Sequence, residues 1–435
     1  MNYNEQYRKK LITVDQALDM VESNTEIVVG LAVNEPVDFL SRLHEIKDRV
    51  ENVNVLTCLS MDNYKFVIDP SMKGHFLNST WFYTPMTRKA HEYGTTTFIP
   101  NHLHLVSNDR LRYKVPKIFM ATAAPMDKHG YFNISLSLTY EKEMIEAADI
   151  VILEINPNYP RTFGESNVHI SKIDFVYESA RPVPVFPYAP SNDKDRMIGN
   201  YIADLVEDGA TIQLGIGGIP NAVADALKHK KDLGIHTELF NDGMVDLIEA
   251  GVVTNDKKTL HRGLSVATMV VGSQRAYDFI DQNPGFAMME GHYVNDPYVI
   301  AKNYKQTSIN TTLEVDLTGQ CCSESLGSKQ FSGTGGQADT AIGAQMSEGG
   351  KSIIALYSTT FSKAAGHEIS KIVPTLAPGA AVSLQRNNVE YVVTEYGVAR
   401  LKGRTIKERV DALIGIAHPD FRADLRKDAN KLMLW

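Results

Sequence analysis

The length, composition and charge of the chain exclude several classes of protein. Its 435 residues exceed one ordinary domain and correspond to roughly two or three domains. Hydrophobic residues make up 43% and charged residues 22%, which is typical of a globular protein with sizeable cores. No stretch reaches the roughly 18 consecutive apolar residues of a membrane-spanning helix, and the amino-terminal segment lacks the apolar core of a secretory signal. We therefore predict a cytoplasmic protein with no membrane partner.

Charge and cysteine content exclude further partners. The chain has 44 Lys and Arg against 52 Asp and Glu, a net charge of −8, without a long basic run, so nucleic acid is not an expected partner. Cys58, Cys321 and Cys322 are too few for a disulfide framework and are expected to be thiols. Because no Cys/His pair has the spacing of a zinc site, we predict no metal.

Sequence patterns typical of helices and of strands alternate along the chain, which favours an α/β fold. A capping box over residues 13–16 predicts a helix start. Next, the apolar segment Glu26-Ile27-Val28-Val29 predicts a buried strand that leads into Gly30. A short loop then reaches Pro36, which precedes an amphipathic helix.

The same unit of strand, glycine turn, proline and helix recurs in the middle of the chain. The segment Thr211-Ile212-Gln213-Leu214 predicts the strand, residues 215–218 form the glycine turn, and Pro220 precedes a helix. This repeat indicates two related α/β halves. The stretch 181–195 contains four prolines that forbid a regular helix, so we predict one domain over 1–185 and a second over 186–435.

The glycine turn at 215–218 is the first candidate binding element. Three glycines in four residues let the backbone approach a ligand and direct N–H groups at an anion. A dinucleotide fingerprint requires glycine at its sixth position, where this chain has Pro220, so we predict neither nicotinamide nor flavin. A turn needed for packing alone remains the alternative.

Two glutamates are candidates for chemistry. Glu238 follows an apolar segment and precedes a short helix that Asn241 or Asp242 is predicted to cap, which places it near the carboxyl end of a strand, where ligands bind in open α/β sheets. Glu395 follows the predicted strand 391–394 and is the alternative candidate to Glu238. For either, a solvated surface charge is the alternative.

A second glycine-dense turn lies at 332–339, where Asp339 is predicted to cap the following helix. Two glycine turns and a carboxylate at a strand end indicate a site that binds an anionic, phosphate-bearing ligand and stabilises an oxyanion with backbone amides. Four basic residues near the carboxyl terminus are interpreted as a solvated helix face rather than a phosphate clamp: Lys402, Arg404, Lys407 and Arg409.

Several ordered segments together resemble the acetyl-CoA hydrolase/transferase family, the family I CoA-transferases that include 4-hydroxybutyrate and butyryl-CoA:acetate CoA-transferases. The resemblance runs through nearly the whole chain. Its blocks are PMDKHGYFN (125–133), ILEINPNYPRTFG (152–164), QLGIGGIPNAV (213–223), GIHTELFNDGM (234–244), SINTTLEVDLTGQ (308–320), SGTGGQAD (332–339), VTEYGVARLKGR (393–404) and AHPDFR (417–422).

The resemblance implies two related open α/β domains with the active site in the cleft between them, and the second carries the catalytic glutamate. It implies ping-pong transfer of CoA from an acyl-CoA to a short-chain carboxylate such as acetate, butyrate or 4-hydroxybutyrate. Glu238 would form the covalent thioester, Asn295 would orient it, and Glu395 would be a supporting residue. A homo-oligomer is also implied. Backbone groups expected against CoA are those of Gln213, Leu214, Gly215, Ile216, Gly217, Gly335 and Gly336.

Two departures from the family pattern concern the acyl side. Thr340 stands where the family usually has an aromatic residue, and Asn34 stands where smaller residues are common. Both are expected to alter the acyl pocket without touching Glu238. Two other functions remain open at this point: an acyl-CoA hydrolase on the same scaffold, in which water intercepts the glutamyl intermediate, and a non-catalytic CoA-binding protein.

Overall fold

A computed structural model describes residues 2–186 and 190–434, and helices and strands alternate along both stretches. The strands are β1 (Glu26–Val29), β2 (Val53–Thr57), β3 (Phe76–Thr80), β4 (Thr96–Phe98), β5 (Ile118–Ala123), β6 (Tyr131–Asn133), β7 (Ile150–Ile155), β8 (Phe163–Gly164), β9 (Asn167–His169), β10 (Phe175–Glu178), β11 (Thr211–Leu214), β12 (Gly234–Phe240), β13 (Ser265–Val270), β14 (Phe286–Met288), β15 (Gln306–Thr311), β16 (Glu314–Asp316), β17 (Cys321–Cys322), β18 (Ser325–Leu326), β19 (Lys329–Gln330), β20 (Lys351–Ala355), β21 (Thr359–Ser362), β22 (His367–Ser370), β23 (Ile372–Val373), β24 (Tyr391–Thr394) and β25 (Gly397–Arg400).

The α-helices are α1 (Tyr3–Lys10), α2 (Val14–Asp19), α3 (Val37–Arg42), α4 (Lys65–Ile68), α5 (Pro85–Tyr93), α6 (Val106–Tyr113), α7 (Glu141–Ala147), α8 (Asp193–Leu205), α9 (Gly218–Ala226), α10 (Asp242–Glu249), α11 (Gln274–Ile280), α12 (Gly291–Val294), α13 (Pro297–Ile300), α14 (Gln337–Met346), α15 (Ile406–Gly415) and α16 (Pro419–Lys431). Short 3-10 helices cover Ala32–Asn34, Leu43–Arg49, Pro70–Met72, Leu103–Leu105, Ile170–Lys172, Leu227–His229 and Arg386–Asn388. The predicted α/β class is confirmed.

The chain separates into two compact units, each built from two stretches of sequence. Unit 1 comprises Met1–Pro187 and Val266–Val294, and unit 2 comprises Tyr188–Ser265 and Asn295–Trp435. The proline-rich stretch predicted to separate the halves contains Pro187, Tyr188 and Ala189, which lie outside the described residues. The predicted domain ranges 1–185 and 186–435 are linear and leave Val266–Val294 with the second half.

Backbone hydrogen bonds explain why Val266–Val294 belongs to unit 1. The Leu138 N–H donates to the Thr268 carbonyl, and the Val270 N–H donates to the Leu136 carbonyl, each at 2.8 Å. Strand β14 pairs with β8 of the same unit. These partners are more than a hundred residues away in sequence, so local patterns give no sign of them.

Unit 1 contains a parallel sheet of seven strands in the order β10-β7-β5-β1-β2-β3-β4. The predicted strand Glu26–Val29 is β1, and all four of its residues are buried. This matches the apolar run expected of a parallel strand covered on both faces. Helix α2 begins with the predicted capping box, in which Thr13 and Gln16 exchange hydrogen bonds, and α3 begins directly after Pro36.

Unit 2 contains a sheet in which β24, β20, β15, β11 and β12 are neighbours in that order and run parallel. Strand β25 forms an antiparallel hairpin with β24 at one edge. The predicted strand Thr211–Leu214 is β11, and α9 follows its glycine turn. In both units the predicted opening strand lies inside the sheet, with the order β5-β1-β2 in one and β15-β11-β12 in the other. The two units therefore share a strand arrangement, as the repeat predicts.

Two further expectations can be compared with the fold. Cys58, Cys321 and Cys322 are buried and none forms a disulfide. Within residues 2–186 and 190–434, the helices are all too short or too polar to cross a bilayer.

Candidate active site

Glu238 lies on β12, two residues before the strand ends at Phe240. The residues around it on the strand are buried, whereas Glu238 itself is partly reachable from solvent. Since β11, β12 and β15 run parallel, their carboxyl ends lie at the same edge of the sheet. Glu238 is therefore near the edge where open α/β sheets bind their ligands.

Two donors hold the carboxylate of Glu238. The side-chain Nδ2 of Asn295 donates to Oε2 of Glu238 at 2.9 Å, and the backbone N–H of Gly336 also donates to this carboxylate. A Cβ on residue 336 would lie 1.9 Å from Oε2 of Glu238 and 2.1 Å from Nδ2 of Asn295. Only glycine allows the backbone to come this close. The structure thus brings together three of the residues singled out in the sequence: Glu238, Asn295 and Gly336.

The environment of Glu238 changes its acidity. The pKa of the Glu238 carboxyl group is raised from 4.5 to about 7. Burial is the main cause and the charge of Asp339 adds to it, whereas the hydrogen bonds from Asn295 and Gly336 oppose the rise. Both protonation states are therefore populated near neutral pH. A desolvated carboxylate with a shifted pKa and fixed donors is typical of a reactive group.

The first glycine turn joins the end of β11 to α9. Gln213 and Leu214 are the last residues of the strand, and Gly217 has φ of +121°, a conformation that residues with a Cβ rarely adopt. No atom of the described chain lies within 4 Å of the Cβ position of Gly217. The backbone of Gly217 thus presents an open face on which a ligand could lie.

Asn241 connects this turn to the strand that carries Glu238. Its Nδ2 donates to the carbonyl of Gly215 at 3.0 Å, and its Oδ1 accepts from the N–H of Met244 at 3.3 Å as the cap of α10. The sequence predicted a cap at Asn241 or Asp242, and the structure places it at Asn241. The bond to Gly215 was not predicted, because it joins two turns that are distant in sequence.

The second glycine turn enters α14. Gly335 has φ of +53°, Gly336 occupies the cap position, and the helix begins at Gln337. The prediction that Asp339 caps this helix is wrong, since Asp339 is the third residue of α14 and is buried. The turn at Gly335 directs the chain into helical geometry before Asp339 is reached, and this brings the Asp339 charge close to Glu238 instead.

Thr340 belongs to a chain of polar contacts across three elements of unit 2. Its hydroxyl oxygen accepts from Nδ2 of Asn310 at 3.0 Å, and the same nitrogen lies 3.4 Å from Oε1 of Gln213. Gln213 Oε1 also accepts from the N–H of Ile309 at 3.2 Å. The side chain of Gln213 is thus engaged inside the sheet, and its predicted contact with CoA stays a prediction. Asn310 lies in the SINTT block, but its contacts could not be derived from the sequence.

Asn34, the other departure, is buried in unit 1, where its amide donates to the carbonyl of Ile134. Its neighbour Glu35 is also buried and accepts hydrogen bonds from Ser60 and from the Tyr64 hydroxyl group. Burial raises the pKa of Glu35 to about 8. The sequence singled out Asn34 only, although the adjacent carboxyl group is the more unusual feature.

Glu395 has different partners from Glu238. Both of its oxygens accept hydrogen bonds from Ser358, one from the backbone N–H and one from the hydroxyl, each at 2.8 Å. The Nζ of Lys194 forms an ion pair with Oε1 of Glu395 at 3.4 Å. These contacts fix the end of β24 against the segment after β20, which suits the supporting role implied for Glu395.

The carboxyl-terminal basic residues do not form one solvated face. Lys407 is exposed and pairs with Asp411 at 3.1 Å, as expected. Arg409 is buried and donates to the carbonyls of Thr318 and Arg386. The prediction of a solvated position is therefore wrong for Arg409, because its guanidinium group satisfies carbonyls of two loops.

Side chains of metal-ligand type also meet in unit 1. Glu143, Glu290 and His292 have ligand atoms within 4.8 Å of one another. His292 already bonds to Glu143 at 2.7 Å, and Lys142 pairs with Glu290 at 2.8 Å. These partners account for the cluster by ion pairing, and the expectation of no metal stays a prediction.

Comparison with known proteins identifies the family. The sequence model of the acetyl-CoA hydrolase/transferase N-terminal domain matches residues 1–187, and that of the C-terminal domain matches residues 272–429. The succinyl-CoA:cyclohexane-1-carboxylate CoA transferase of Geobacter metallireducens is 44% identical, over 99% of this chain and 97% of that protein. The 4-hydroxybutyrate coenzyme A transferase of Clostridium kluyveri is 42% identical, over 99% and 100%.

Solved structures agree with the sequence comparison. RipA from Yersinia pestis superimposes with a TM-score of 0.93 at 35% identity, and all of both chains is covered. The 4-hydroxybutyrate CoA-transferase from Porphyromonas gingivalis superimposes with a TM-score of 0.83 at 35% identity, over 99% of this chain and 100% of that chain. The chain described here therefore belongs to the acetyl-CoA hydrolase/transferase family and is an enzyme.

Proposed function

We propose that this enzyme moves CoA between short-chain carboxylic acids through a covalent thioester on Glu238. The observation that carries the proposal is the desolvated carboxylate of Glu238, which Asn295 and Gly336 hold with two donors. Relatives named as 4-hydroxybutyrate and butyryl-CoA:acetate CoA-transferases, 42% and 38% identical, support acetate, butyrate and 4-hydroxybutyrate as the acids. Acyl-CoA is the expected CoA donor, with no metal, nicotinamide or flavin.

The proposed reaction keeps the acyl group in an activated bond, either a thioester or an anhydride, until the product acid is released. An oxygen of Glu238 attacks the acyl-CoA carbonyl, the carbon–sulfur bond breaks, and CoA leaves as a thiolate, so that a mixed anhydride forms. The thiolate then attacks the glutamyl carbonyl carbon, the anhydride carbon–oxygen bond breaks, and the first acid departs as a carboxylate. An incoming carboxylate reverses both steps and leaves with CoA. A carboxylate nucleophile suits this exchange because donor and product are both acyl derivatives of similar energy.

The donors around Glu238 give this sequence its electrostatic support. When thiolate attacks the glutamyl carbon, negative charge develops on a glutamyl oxygen. Asn295 already donates to Oε2 and the Gly336 N–H to the same carboxylate in the resting enzyme, so no donor has to be recruited during the reaction. Removal of one donor of this kind costs on the order of 10² to 10³ in rate in other enzymes.

The first glycine turn is proposed to bind CoA. Its backbone at Gly217 is open on the side where a Cβ would stand, and Asn241 fixes the carbonyl of Gly215.

Three further properties stay predictions. They are an active site in a cleft between the halves, a homo-oligomer and a cytoplasmic location.

The experiment for this proposal compares transfer with hydrolysis. Purified enzyme is given butyryl-CoA with and without acetate, and acetyl-CoA and free CoA are measured over time. We expect acetate-dependent formation of acetyl-CoA to be far faster than release of free CoA, and Glu238→Ala to abolish it. Faster hydrolysis than transfer would favour the hydrolase on the same scaffold, and full activity of Glu238→Ala would refute the role of Glu238.

Glu238→Asp gives a second readout. The shorter arm withdraws the carboxyl group from the two donors and leaves room for water, so we expect a larger share of hydrolysis per turnover. The ratio of free CoA to acetyl-CoA measures this share. An unchanged ratio would contradict the expectation.

A further inference from the structure

A basic cavity lies in unit 2 between the loop that precedes β13 and the loop that precedes β15. Its volume is about 730 Å³. Three exposed cationic side chains, one buried lysine and one carboxylate line its wall, in a chain whose net charge is −8. The charged lining residues are Lys257, Lys258, Arg262, Lys302 and Glu348.

The cations of this cavity lack the partners that surface cations usually have. Within residues 2–186 and 190–434, no carboxylate oxygen lies within 4.0 Å of the charged nitrogens of Lys257, Arg262 or Lys302. Lys258 is only 2% exposed, and its Nζ donates to two uncharged acceptors, the carbonyls of Ile235 at 2.7 Å and Leu264 at 2.6 Å. Burial without a counter-ion lowers the pKa of Lys258 to about 7, so an anion in the cavity would favour the charged form of this lysine.

The wall of the cavity is already formed. The Leu260 N–H donates to Oδ1 of Asn303 at 3.2 Å, and the Tyr304 N–H donates to the Thr259 hydroxyl at 3.2 Å. These bonds join the two loops. Asn303 is fully buried, and its Nδ2 has no acceptor in the described part of the chain. A buried donor without an acceptor is rare in native proteins.

The cavity is separate from Glu238. Lys258 contacts Ile235 near the start of β12, and Tyr304 and Glu348 precede β15 and β20. These parallel strands begin at one edge of the sheet, and Glu238 lies near their other ends. A strand rises roughly 3.3 Å per residue, so the four steps from Gly234 to Glu238 span about 13 Å.

We propose that this cavity binds an oligophosphate anion. Clustered ammonium and guanidinium groups complement several phosphate charges at once, whereas a single small carboxylate would leave most of them unpaired. The ring of Tyr304, 41% exposed at the rim, offers a stacking face to the base of a nucleotide. The shared ligand chemistry is the phosphate chain, and its source is either a nucleotide or an inorganic chain.

The test titrates the full-length enzyme with inorganic tripolyphosphate and with ATP by calorimetry. Saturating CoA is present, so that the phosphate contacts of the active site are already occupied. We expect one site per chain whose affinity falls as salt rises, because exposed charge pairs are screened. Lys257→Ala combined with Lys302→Ala should weaken binding of both probes about tenfold, and Glu348→Gln should strengthen it, because a carboxylate in the wall repels the ligand.

The matched control replaces two exposed lysines of unit 2 outside the cavity, Lys363→Ala with Lys427→Ala, which removes the same charge and should leave both affinities unchanged. Tyr304→Leu separates the two sources: weaker ATP binding with unchanged tripolyphosphate binding identifies a nucleotide, and no change for either identifies an inorganic chain. The proposal is overturned if the wild type shows no saturable binding, or if the cavity variant and the control variant bind alike.

Discussion

At the scale of single residues, Gly336 determines how closely the second glycine turn approaches Glu238. In Gly336→Ala the new Cβ would lie 1.9 Å from Oε2 of Glu238, so the carboxylate and Asn295 must separate. We expect transfer activity to fall on the order of 10²-fold or more, as when an oxyanion donor is lost. Steady-state kinetics with acyl-CoA and acetate measure the effect.

The control for this variant is Gly415→Ala. Gly415 is the last residue of α15, and apart from its chain neighbours and the backbone of its own helix no described atom lies within 4 Å of its Cβ position. We expect its activity and thermal midpoint to match the wild type. Comparable activity in Gly336→Ala and Gly415→Ala would contradict the contact between Gly336 and Glu238.

Asn295 sets the pH at which Glu238 becomes ionised. Its hydrogen bond lowers the pKa of Glu238, which burial has raised to about 7. In the proposed reaction the ionised form of Glu238 is the nucleophile, so the rate of thioester formation should rise with pH through about 7. In Asn295→Ala the loss of the donor should shift this midpoint to higher pH and lower the plateau. The control is Asn430→Ala, at an exposed position, which should leave the midpoint unchanged. An unchanged midpoint in Asn295→Ala as well would count against this role of Asn295.

Glu238 also links pH to stability. Its pKa is raised from 4.5 to about 7 in the folded state, so the native protein holds this proton more tightly than the unfolded chain. Ionised Glu238 therefore destabilises the fold progressively from about pH 4.5 and fully above about pH 7. Relative to the wild type, Glu238→Gln should gain stability between pH 5 and pH 8, by at most about 3 kcal/mol. Denaturant unfolding of both proteins at pH 5 and pH 8 measures the difference in unfolding free energy between Glu238→Gln and the wild type. The same difference at both pH values would contradict the expectation.

At the scale of elements, Asn241 couples a helix cap to the first glycine turn. Asn241→Ala removes the cap of α10 and the bond to Gly215, whereas Thr405→Ala removes only the cap of α15. Both variants should lose about 1 kcal/mol of unfolding free energy, the usual cost of a cap. Only Asn241→Ala should also raise KM for acyl-CoA. Equal KM values in the two variants would show that the turn does not depend on Asn241.

Elements with a local cause were predictable from the sequence. The four buried residues of β1 and of β11 coincide with the predicted strands, and the predicted capping box at Thr13 starts its helix, because these patterns act over three or four residues. The cap predicted at Asp339 failed because the conformation of the preceding glycines decides where α14 begins. The bonds of Asn241 and Asn310 could not be predicted, because they depend on which turns the sheet brings together.

At the scale of the whole molecule, the segment Val266–Val294 makes unit 1 discontinuous. Leu136 and Leu138 are buried and bond through their backbones to this segment. A fragment of residues 1–187 alone should therefore expose Leu136 and Leu138. We expect it to unfold at a lower denaturant concentration than the same fragment linked to 266–294. Circular dichroism during urea unfolding compares the two fragments, and identical transitions would show that the segment contributes nothing to unit 1.

The similarity between the two halves could be predicted only from the repeated unit of strand, glycine turn and helix. A strand, a glycine turn and a helix occur at the start of both sheets, and both opening strands lie inside their sheets. The exchange of Val266–Val294 had no counterpart in the repeat, since its hydrogen bonds link residues more than a hundred positions apart. Sequence patterns thus identified the type of fold and the strand that carries Glu238, whereas the assignment of this segment required the structure.

The central claim is that Glu238 carries CoA covalently. The most direct measurement incubates the enzyme with an acyl-CoA, reduces the mixture with borohydride, and locates the modified side chain by peptide mass spectrometry. We predict CoA attached to Glu238 before reduction and the corresponding alcohol at Glu238 after it, with no modification in Glu238→Gln. Modification at another residue such as Glu395, or turnover without any covalent CoA, would contradict the account.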